Sequence, residues 1–219
     1  MSYIHVDFIL IAVIILSYLI GSIPTAVWVG KRFYGIDVRD YGSGNAGATN
    51  TIRVLGHKAG IPVFIIDVIK GFIAVELTYL CKSNFGNHNE IFAIFKVVLS
   101  FIVVLGHVFP IFAGFKGGKG IATSFGVVLA LFTYPALIIL AIFLITLLIT
   151  HYVSVSSITA AFIFPFLNIF VFNANEWAYL IFAIVISAFV IFTHRKNIIR
   201  LTKGEESKFF FKKKEPLIK

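Results

Sequence analysis

Long apolar runs alternate with short polar segments along the chain. The first run, residues 8–30, contains no charged residue and is long enough to cross a bilayer as a helix. The pattern predicts membrane spans at about residues 8–29, 61–80, 91–113, 158–172 and 177–193. The polar segments between them are short, apart from residues 31–60.

The apolar stretch at residues 121–150 is either one long helix or two short spans broken at Tyr134 and Pro135. Lysine and arginine mark cytoplasmic loops. If the stretch forms two spans, each has roughly 15 residues, or about 23 Å of helix. Every lysine and arginine outside the spans, except Lys82, then lies on one side of the membrane. A single span would instead place the basic tail on the outer side. We therefore predict an all-α membrane protein, a polytopic bundle of about seven transmembrane helices with its N-terminus outside and its C-terminus cytoplasmic.

Composition supports a membrane protein. Hydrophobic residues make up 59% of the chain and charged residues 13%, about half the charged fraction of an ordinary soluble domain. The net charge of +9 lies in short loops and in the tail, which suits anionic headgroups or anionic substrates and argues against a nucleic-acid partner. The single cysteine, Cys81, excludes an internal disulfide. We predict one transmembrane domain, residues 1–206, followed by a basic cytoplasmic tail, residues 207–219.

The segment at residues 42–50 is the first candidate for chemistry. It reads GSGNAGATN, and Arg53 follows it. Glycines let the backbone turn its amide N–H groups toward one point, while Ser, Asn and Thr side chains add neutral donors and Arg53 adds a cationic fork. This composition favours phosphate binding, although segments of this kind are also commonly ordinary flexible loops. The order differs from that of a Walker A loop.

A second glycine-rich segment, residues 115–123, reads FKGGKGIAT. Lys116 and Lys119 bracket a glycine pair, and the apolar pattern predicts a helix directly after Gly120. Amides at a helix N-terminus together with ammonium groups favour an anion, while loop lysines also serve as plain topology signals.

A third polar cluster begins at His194, where the last predicted span ends. A continuing helix would place His194 and Asn197 on one face. The neighbouring Arg195, Lys196 and Arg200 are more simply explained as a basic cap at the membrane interface.

Ionisable residues inside predicted spans need a reason, because charge in lipid is costly. Asp67 and Lys70 stand three residues apart and can form a structural ion pair. His107, near the inner end of its span, either lines the site or packs as a satisfied histidine. No histidine spacing typical of a metal site occurs, so we predict no metal and no cofactor.

Four motifs, in this order, resemble the bacterial acyl-phosphate:glycerol-3-phosphate acyltransferases, the PlsY family. They are GSGNAGATNTIRVLG from Gly42, D-x-x-K-G from Asp67, GHVFPIFAGFKGGKGIAT from Gly106 and HRKNIIRLTKGEE from His194. The resemblance covers about residues 8–206. Ala46 stands where the family often has Pro and Lys196 where an acidic residue is common, which affects local loop shape and local charge.

The resemblance implies that a fatty acyl group moves from acyl phosphate to the 1-hydroxyl of glycerol 3-phosphate. The products are lysophosphatidic acid and phosphate, in an early step of phospholipid synthesis. It also implies an active site at the cytoplasmic face of the bacterial inner membrane, among membrane lipids, with neither CoA nor acyl carrier protein as direct donor.

The resemblance assigns roles to individual residues of this chain. Those expected to be catalytic are Ser43, Lys119, His194 and Asn197. Those expected to bind substrate are Gly44, Asn45, Gly47, Thr49, Asn50, Arg53, Lys116, Gly117, Gly118 and Gly120. Structural or secondary roles fall to Asp67, Lys70, His107 and Ser156, the last in a predicted inner loop with Ser154 and Ser157. Ser43, Gly44, Asn45, Thr49 and Asn50 would surround the acyl-phosphate headgroup. Arg53, Lys116, Lys119, His194 and Asn197 would hold glycerol 3-phosphate or neutralise the departing phosphate, and which lysine serves which phosphate stays open.

Acyl phosphate is already activated, so positioning and charge stabilisation suffice for direct attack by the hydroxyl. The His-x-x-x-x-Asp dyad of many glycerolipid acyltransferases is absent, because no histidine has Asp five positions later. The base is then His194 or a substrate phosphate oxygen. A covalent route through Ser43 is the less favoured alternative.

Three other classes of protein compete with this interpretation. A transporter for a phosphorylated solute would place polar groups near the midplane and show internal repeats, whereas the donors here cluster at one face. A scaffold would not need two phosphate-type loops. A metal-dependent phosphotransferase would need clustered aspartates, and Asp37, Asp40 and Asp67 are scattered.

Overall fold

The computed structural model describes residues 8–172 and 176–209, which contain helices and no strand. The α-helices in these residues are α1 Phe8–Gly21, α2 Thr25–Tyr34, α3 Ala48–Leu55, α4 His57–Glu76, α5 Asn89–Val108, α6 Ile121–Leu131, α7 Thr133–Thr150, α8 Val153–Phe166, α9 Trp177–Thr193 and α10 Arg195–Thr202. Short 3₁₀ helices at Val38–Asp40, Leu77–Phe85 and Ile111–Ala113 and a π-helix at Leu167–Val171 connect or extend them. The chain divides into two compact units, residues 8–131 (unit 1) and residues 132–209 (unit 2).

Three segments of the described residues are each long and apolar enough to cross a membrane: Asn89–Ala113, Thr133–Thr150 and Val153–Val171. The bent pairs α1–α2 and α9–α10 raise this number to five if each pair is one span. The 20-residue helix α4 also has a spanning length, but it carries four charged residues. In the described residues the all-helical character predicted from the sequence is confirmed.

The first predicted span is not one straight helix. Helix α1 ends at Gly21, and α2 begins at Thr25 at an angle of 47° to it. Pro24 explains the break, because its ring disfavours helical geometry at Ile23 and it lacks an N–H. Gly21 lies directly against the Val103 carbonyl of α5, where any side chain would collide with it.

The predicted break within residues 121–150 is present, but it lies at Phe132 rather than at Tyr134 and Pro135. Phe132 has φ −141° and ψ 63°, which ends the helical path. Pro135 lies in the first turn of α7, where a missing N–H costs nothing. The two helices are therefore unequal, with 11 residues in α6 and 18 in α7.

The serines predicted to lie in an inner loop are instead buried in the first turns of α8. Ser156 donates to the Tyr152 carbonyl at 2.9 Å, and Ser157 donates to the Val153 carbonyl at 2.9 Å. Hydroxyls that bond a carbonyl four residues earlier tolerate helix, so the polar pattern of residues 151–157 did not mark a loop. Ser154 is likewise 3% exposed.

Unit 1 brings together the helix ends that carry its polar segments. Helix α4 packs against α6, with Gly71 at the Thr123 carbonyl and Gly126 at the Val68 carbonyl. Small residues at such contacts let two helix backbones approach closely. Because α4 and α6 are neighbours, the polar segment that precedes α4 and the loop that precedes α6 lead into two helices in direct contact.

Candidate active site

The first loop, residues 42–47, is ordered by the side chain of Asn50. The Asn50 Oδ1 accepts from the Ser43 N–H at 2.8 Å and from the Ser43 Oγ at 3.1 Å. Its Nδ2 donates to the carbonyls of Val38 and Tyr41 at 2.8 and 3.2 Å. Asn50 is 3% exposed. Its amide therefore holds Ser43 in place, which differs from the direct headgroup contact expected for it.

Positive φ angles at Gly42 and Gly44, 62° and 70°, give the first loop its turn. Glycine adopts this region most readily, so most other residues at these two positions would strain the backbone. The loop ends at Gly47, where α3 starts. Ser43 is left at the surface of the loop, with its hydroxyl and its N–H both turned toward Asn50.

Helix α3 presents its N-terminus beside this loop. Gly47 precedes the helix and offers no side-chain cap, so the N–H groups of the first turn, at Ala48 and Thr49, have no acceptor within the helix. Thr49 and Arg53 stand four residues apart and share one face of α3. Helix α3 therefore adds three groups beside the first loop: the Thr49 hydroxyl, the N–H groups of its own N-terminus and the Arg53 guanidinium.

The second loop, residues 114–120, is folded onto the end of α5. The Gly117 N–H donates to the Val108 carbonyl at 3.1 Å, and the Gly118 N–H donates to the His107 carbonyl at 3.2 Å. Within this loop Lys116 is exposed and Lys119 is half-buried. The helix predicted after Gly120 is α6, which begins at Ile121.

The two loops lie against each other. A Cβ at Gly118 would stand only 3.1 Å from the Ala46 carbonyl, so the backbones of the two loops are close at this point. Arg39 joins the loops from the side, because its Nη1 donates to the carbonyls of Ala113 and Lys116 at 2.9 and 3.1 Å. The structure therefore brings the two phosphate-type motifs of unit 1 together, as their common side of the membrane had suggested.

Asp37 fixes the orientation of Arg39. The Asp37 Oδ2 lies 2.7 Å from Arg39 Nη2 and 3.3 Å from Lys31 Nζ. The hydrogen bonds from Arg39 hold the pKa of the Asp37 carboxyl well below its usual range. Asp37 is consequently ionised, and it neutralises much of the charge of Arg39, which points to a role for Arg39 in holding the loops together.

An open cavity of about 520 Å³ lies between the loops on the Arg39 side. Its lining includes three residues expected to bind substrate: Gly44 from the first loop and Lys116 and Gly117 from the second. Asp37 and Asp40 also line it, so this cavity carries charges of both signs. Among residues 8–172 and 176–209, no three His, Cys, Asp or Glu side chains gather as a metal site would require.

Unit 2 contains a separate polar cluster, the Glu206 cluster, formed by Ser154, Asn197, Arg200 and Glu206. The Glu206 Oε1 accepts from Asn197 Nδ2 at 2.6 Å and from Ser154 Oγ at 2.9 Å, and its Oε2 accepts from Arg200 Nε at 2.7 Å. Burial raises the pKa of Glu206, but the three hydrogen bonds outweigh it and leave the pKa below the ordinary value. The carboxylate thus fixes the amide of Asn197.

His194 and Asn197 do not lie on one continuous helix, because α10 bends away from α9 by 51°. They remain adjacent, since the Asn197 N–H donates to the His194 carbonyl at 2.8 Å. The His194 Nδ1 lies 2.8 Å from the Val190 carbonyl. A carbonyl only accepts, so Nδ1 carries the proton and Nε2 is the basic nitrogen of the neutral ring.

Sequence reasoning missed two residues that organise these groups, Arg39 and Glu206. Arg39 was assigned no role, although its spacing from Asp37 allows a local ion pair. Glu206 was quoted within a motif without a role. The signal available for it was Gly204, whose φ of 72° lets the chain turn back so that the Glu205 N–H donates to the Arg200 carbonyl at 2.8 Å.

Comparison with known proteins gives one consistent result. A family model for glycerol-3-phosphate acyltransferase matches residues 11–204. A glycerol-3-phosphate acyltransferase of Fusobacterium nucleatum is 48% identical over 90% of this chain and 97% of that protein. One from Listeria monocytogenes is 43% identical over 91% of this chain and 96% of that protein.

Two crystal structures of PlsY (YgiH), an integral membrane glycerol 3-phosphate acyltransferase, are similar to the present structure. The glycerol 3-phosphate form has a TM-score of 0.78 at 40% identity, covering 92% of this chain and 96% of the other. The lysophosphatidic acid form has a TM-score of 0.75 at 40% identity and covers 92% and 95%.

Apolar helices of spanning length, together with the similarity to an integral membrane protein of known structure, define a helical integral membrane protein. With the matches above, the class can be made specific. The chain belongs to the glycerol-3-phosphate acyltransferase family. It is an acyltransferase, and its family places it in phospholipid biosynthesis.

Proposed function

We propose that this protein transfers a fatty acyl group from acyl phosphate to the 1-hydroxyl of glycerol 3-phosphate. The products are lysophosphatidic acid and inorganic phosphate. The reaction takes place at the cytoplasmic face of the bacterial inner membrane, without CoA or acyl carrier protein as direct donor. About seven helices cross the membrane, with the N-terminus outside, in a single domain of residues 1–206 with a basic tail of residues 207–219.

The contact between the two loops of unit 1 carries the proposal. At Gly118 the loops approach so closely that a Cβ would stand 3.1 Å from the Ala46 carbonyl, and it would also collide with His107. The first loop carries Ser43, and the second loop carries Lys116 and Lys119. Helix α3, beside the first loop, adds Arg53 and the N–H groups of its N-terminus. Both substrates carry a phosphate. The two loops and the start of α3 together supply hydroxyl, amide and cationic groups, all of which can bind phosphate oxygens.

The site would act by positioning and by charge stabilisation. The 1-hydroxyl oxygen attacks the acyl carbonyl carbon, and the bond from that carbon to the phosphate oxygen breaks. Lys119 and Arg53 neutralise the departing phosphate, and the Ser43 hydroxyl turns from Asn50 Oδ1 to the bound headgroup and donates to it. Preorganised donors of this kind are worth about 10²–10³-fold each in rate. The hydroxyl proton ends on His194 or on a phosphate oxygen.

His194 is suited to take that proton. Its Nδ1 is engaged by the Val190 carbonyl, which makes Nε2 the basic nitrogen. If His194 is the obligatory base, His194→Gln should lose most of kcat with little change in KM, because the interaction is needed only in the transition state. Asn197→Ala, which leaves the histidine in place, is the companion variant. A kcat retained in His194→Gln would instead assign the proton to the substrate phosphate.

The first experiment is an acyl-transfer assay on purified, detergent-solubilised full-length protein. Palmitoyl phosphate and labelled glycerol 3-phosphate are supplied with EDTA and without CoA or acyl carrier protein. We expect lysophosphatidic acid in proportion to enzyme, with losses of about 100-fold in Ser43→Ala and Lys119→Ala. Lys58→Ala, which removes an exposed lysine at the start of α4, is the matched control and should retain activity.

Equal activity in Lys119→Ala and Lys58→Ala would contradict the assigned role of Lys119. Absence of product from folded protein, under conditions in which a known family member is active, would contradict the proposed donor. In that case phosphate uptake into liposomes that contain the protein would test the transporter alternative. Loss of activity in EDTA that is regained with a divalent cation would show a metal requirement.

A further inference from the structure

Two charged side chains of α4, Asp67 and Lys70, are buried within unit 1. They are 1% and 4% exposed, and Lys70 Nζ lies 2.9 Å from Asp67 Oδ1. An ion pair in a membrane helix is costly unless further groups satisfy it. Thr25 Oγ1 donates to Asp67 Oδ1 at 3.0 Å, and Lys70 Nζ donates to the Ile23 carbonyl at 3.1 Å. The pair therefore fastens α4 to the bend between α1 and α2.

His107 lies between this ion pair and α6, in contact with Asp67 and hydrogen-bonded to Thr123. The His107 Nδ1 lies 3.7 Å from Asp67 Oδ1 and 3.1 Å from Thr123 Oγ1. Thr123 is fully buried in the first turn of α6, four residues after Lys119. The network thus ends at the helix whose start follows directly from the second loop.

The second loop rests on His107. The His107 and Val108 carbonyls accept from the N–H groups of Gly118 and Gly117. A Cβ on Gly118 would collide with His107 Nε2, so the ring lies directly beneath the loop backbone. Because Lys119 follows Gly118, the position of this ring determines where the side chain of Lys119 begins.

We propose that Asp67, Lys70, His107 and Thr123 form a positioning network that holds the second loop and thereby sets the place of Lys119 for catalysis. This proposal rests on the proposed function, in which Lys119 neutralises the departing phosphate. None of the four residues touches substrate in this scheme. A displacement of a catalytic group by about 1 Å can cost on the order of 100-fold in rate. Precise placement of Lys119 can therefore outweigh the cost of burying an ion pair.

The test must separate positioning from a general contribution to stability. His107→Asn keeps a polar atom near Thr123 and withdraws the ring from Gly118. Ser100→Ala is the matched control, because it removes a buried hydroxyl of the same helix that bonds the Lys96 carbonyl at 2.7 Å and has no link to the loop. Both variants are purified, their Tm is measured, and kcat and KM for glycerol 3-phosphate are determined on the folded fraction.

Positioning predicts that His107→Asn loses about tenfold or more in kcat/KM for glycerol 3-phosphate while Ser100→Ala stays within about twofold of the parent. It also predicts that His107→Asn adds little to the loss already caused by Lys119→Ala, since both changes act through the ammonium group of Lys119. Kinetic constants equal to those of Ser100→Ala, or losses that simply add, would overturn the proposal.

Two further measurements keep the proposal testable. If His107→Asn does not fold, Thr123→Val removes the hydroxyl next to the ring and takes its place in the same assay. Amide hydrogen exchange of the parent and the variant needs no activity. Faster exchange at Gly117 and Gly118, with unchanged exchange in the rest of α5, supports the network, and unchanged exchange at both glycines overturns it. A parent without acyl transfer would contradict the proposed function alone, and exchange would then decide the network.

Discussion

At the scale of single residues, several polar side chains of this protein bind other parts of the chain. Asn50 uses its amide to hold Ser43 and two carbonyls, and Arg39 uses its guanidinium to join two loops. The sequence shows that such residues are donor-rich, but it does not show which partner they will meet. Direct substrate contact was therefore expected for Asn50, and Arg39 was not singled out at all.

Glu206 gives the clearest prediction at this scale. Its pKa is lowered in the folded protein, so its ionised form stabilises the fold. This stabilisation is complete above the ordinary glutamate value of 4.5 and is lost as the pH falls through the lowered pKa. We expect Glu206→Gln to lower stability at pH 7 by about 2 kcal/mol, or several degrees in Tm, because hydrogen bonds to a charged group are lost.

Thermal unfolding of the detergent-solubilised protein between pH 3.5 and pH 7 checks this expectation. The Tm of the parent should fall on the acid side, and the Tm of Glu206→Gln should start lower and change less. Glu205→Gln, at the exposed neighbouring position, is the control and should follow the parent. Parallel curves for Glu206→Gln and the parent would show that the carboxylate does not contribute in this way.

At the scale of helices, the sequence predicted α5 and α9 well, missed the bend at Pro24 and placed the break of residues 121–150 at Tyr134 and Pro135 rather than at Phe132. Residues 91–113 and 177–193 were expected, and Asn89–Val108 and Trp177–Thr193 are found. A run of apolar residues looks the same whether the helix is straight or bent. Pro24 is a visible signal for the bend, but the angle of the bend and the exact position of the break at Phe132 depend on local backbone geometry and on neighbouring helices.

The close packing of α4 against α6 leads to a prediction for Gly126. Any side chain there would meet the Val68 carbonyl of α4. We expect Gly126→Leu to separate the two helices and to lower stability by about 2 kcal/mol or more, as overpacking usually does. Ala130→Leu, which places the same side chain at a half-buried position of α6, is the control for Tm and for the folded yield. Equal Tm values for the two variants would show that this contact can relax.

At the scale of the whole molecule, the number of membrane crossings depends on two helices. Helix α4 has four charged residues, three of which, Asp67, Lys70 and Glu76, belong to the predicted span. Helix α6 has only 11 residues, about 16 Å of helix against the roughly 30 Å of a hydrocarbon core. The buried ion pair makes a crossing by α4 affordable, since its charges face protein rather than lipid.

Cysteine labelling can count both crossings. In a Cys81→Ala background, Lys58→Cys and Lys82→Cys flank α4, so a crossing by α4 puts these two positions on opposite sides. A third variant, Lys196→Cys, is separated from Lys58→Cys by the six helices α4 to α9. If all six cross the membrane, positions 58 and 196 lie on the same side. An impermeant maleimide applied to intact spheroplasts should then label Lys82→Cys alone. Labelling of Lys82→Cys and Lys196→Cys together, with Lys58→Cys protected, would mean that α6 and α7 make a single crossing and that the basic tail is outside, against the expectation from its charge.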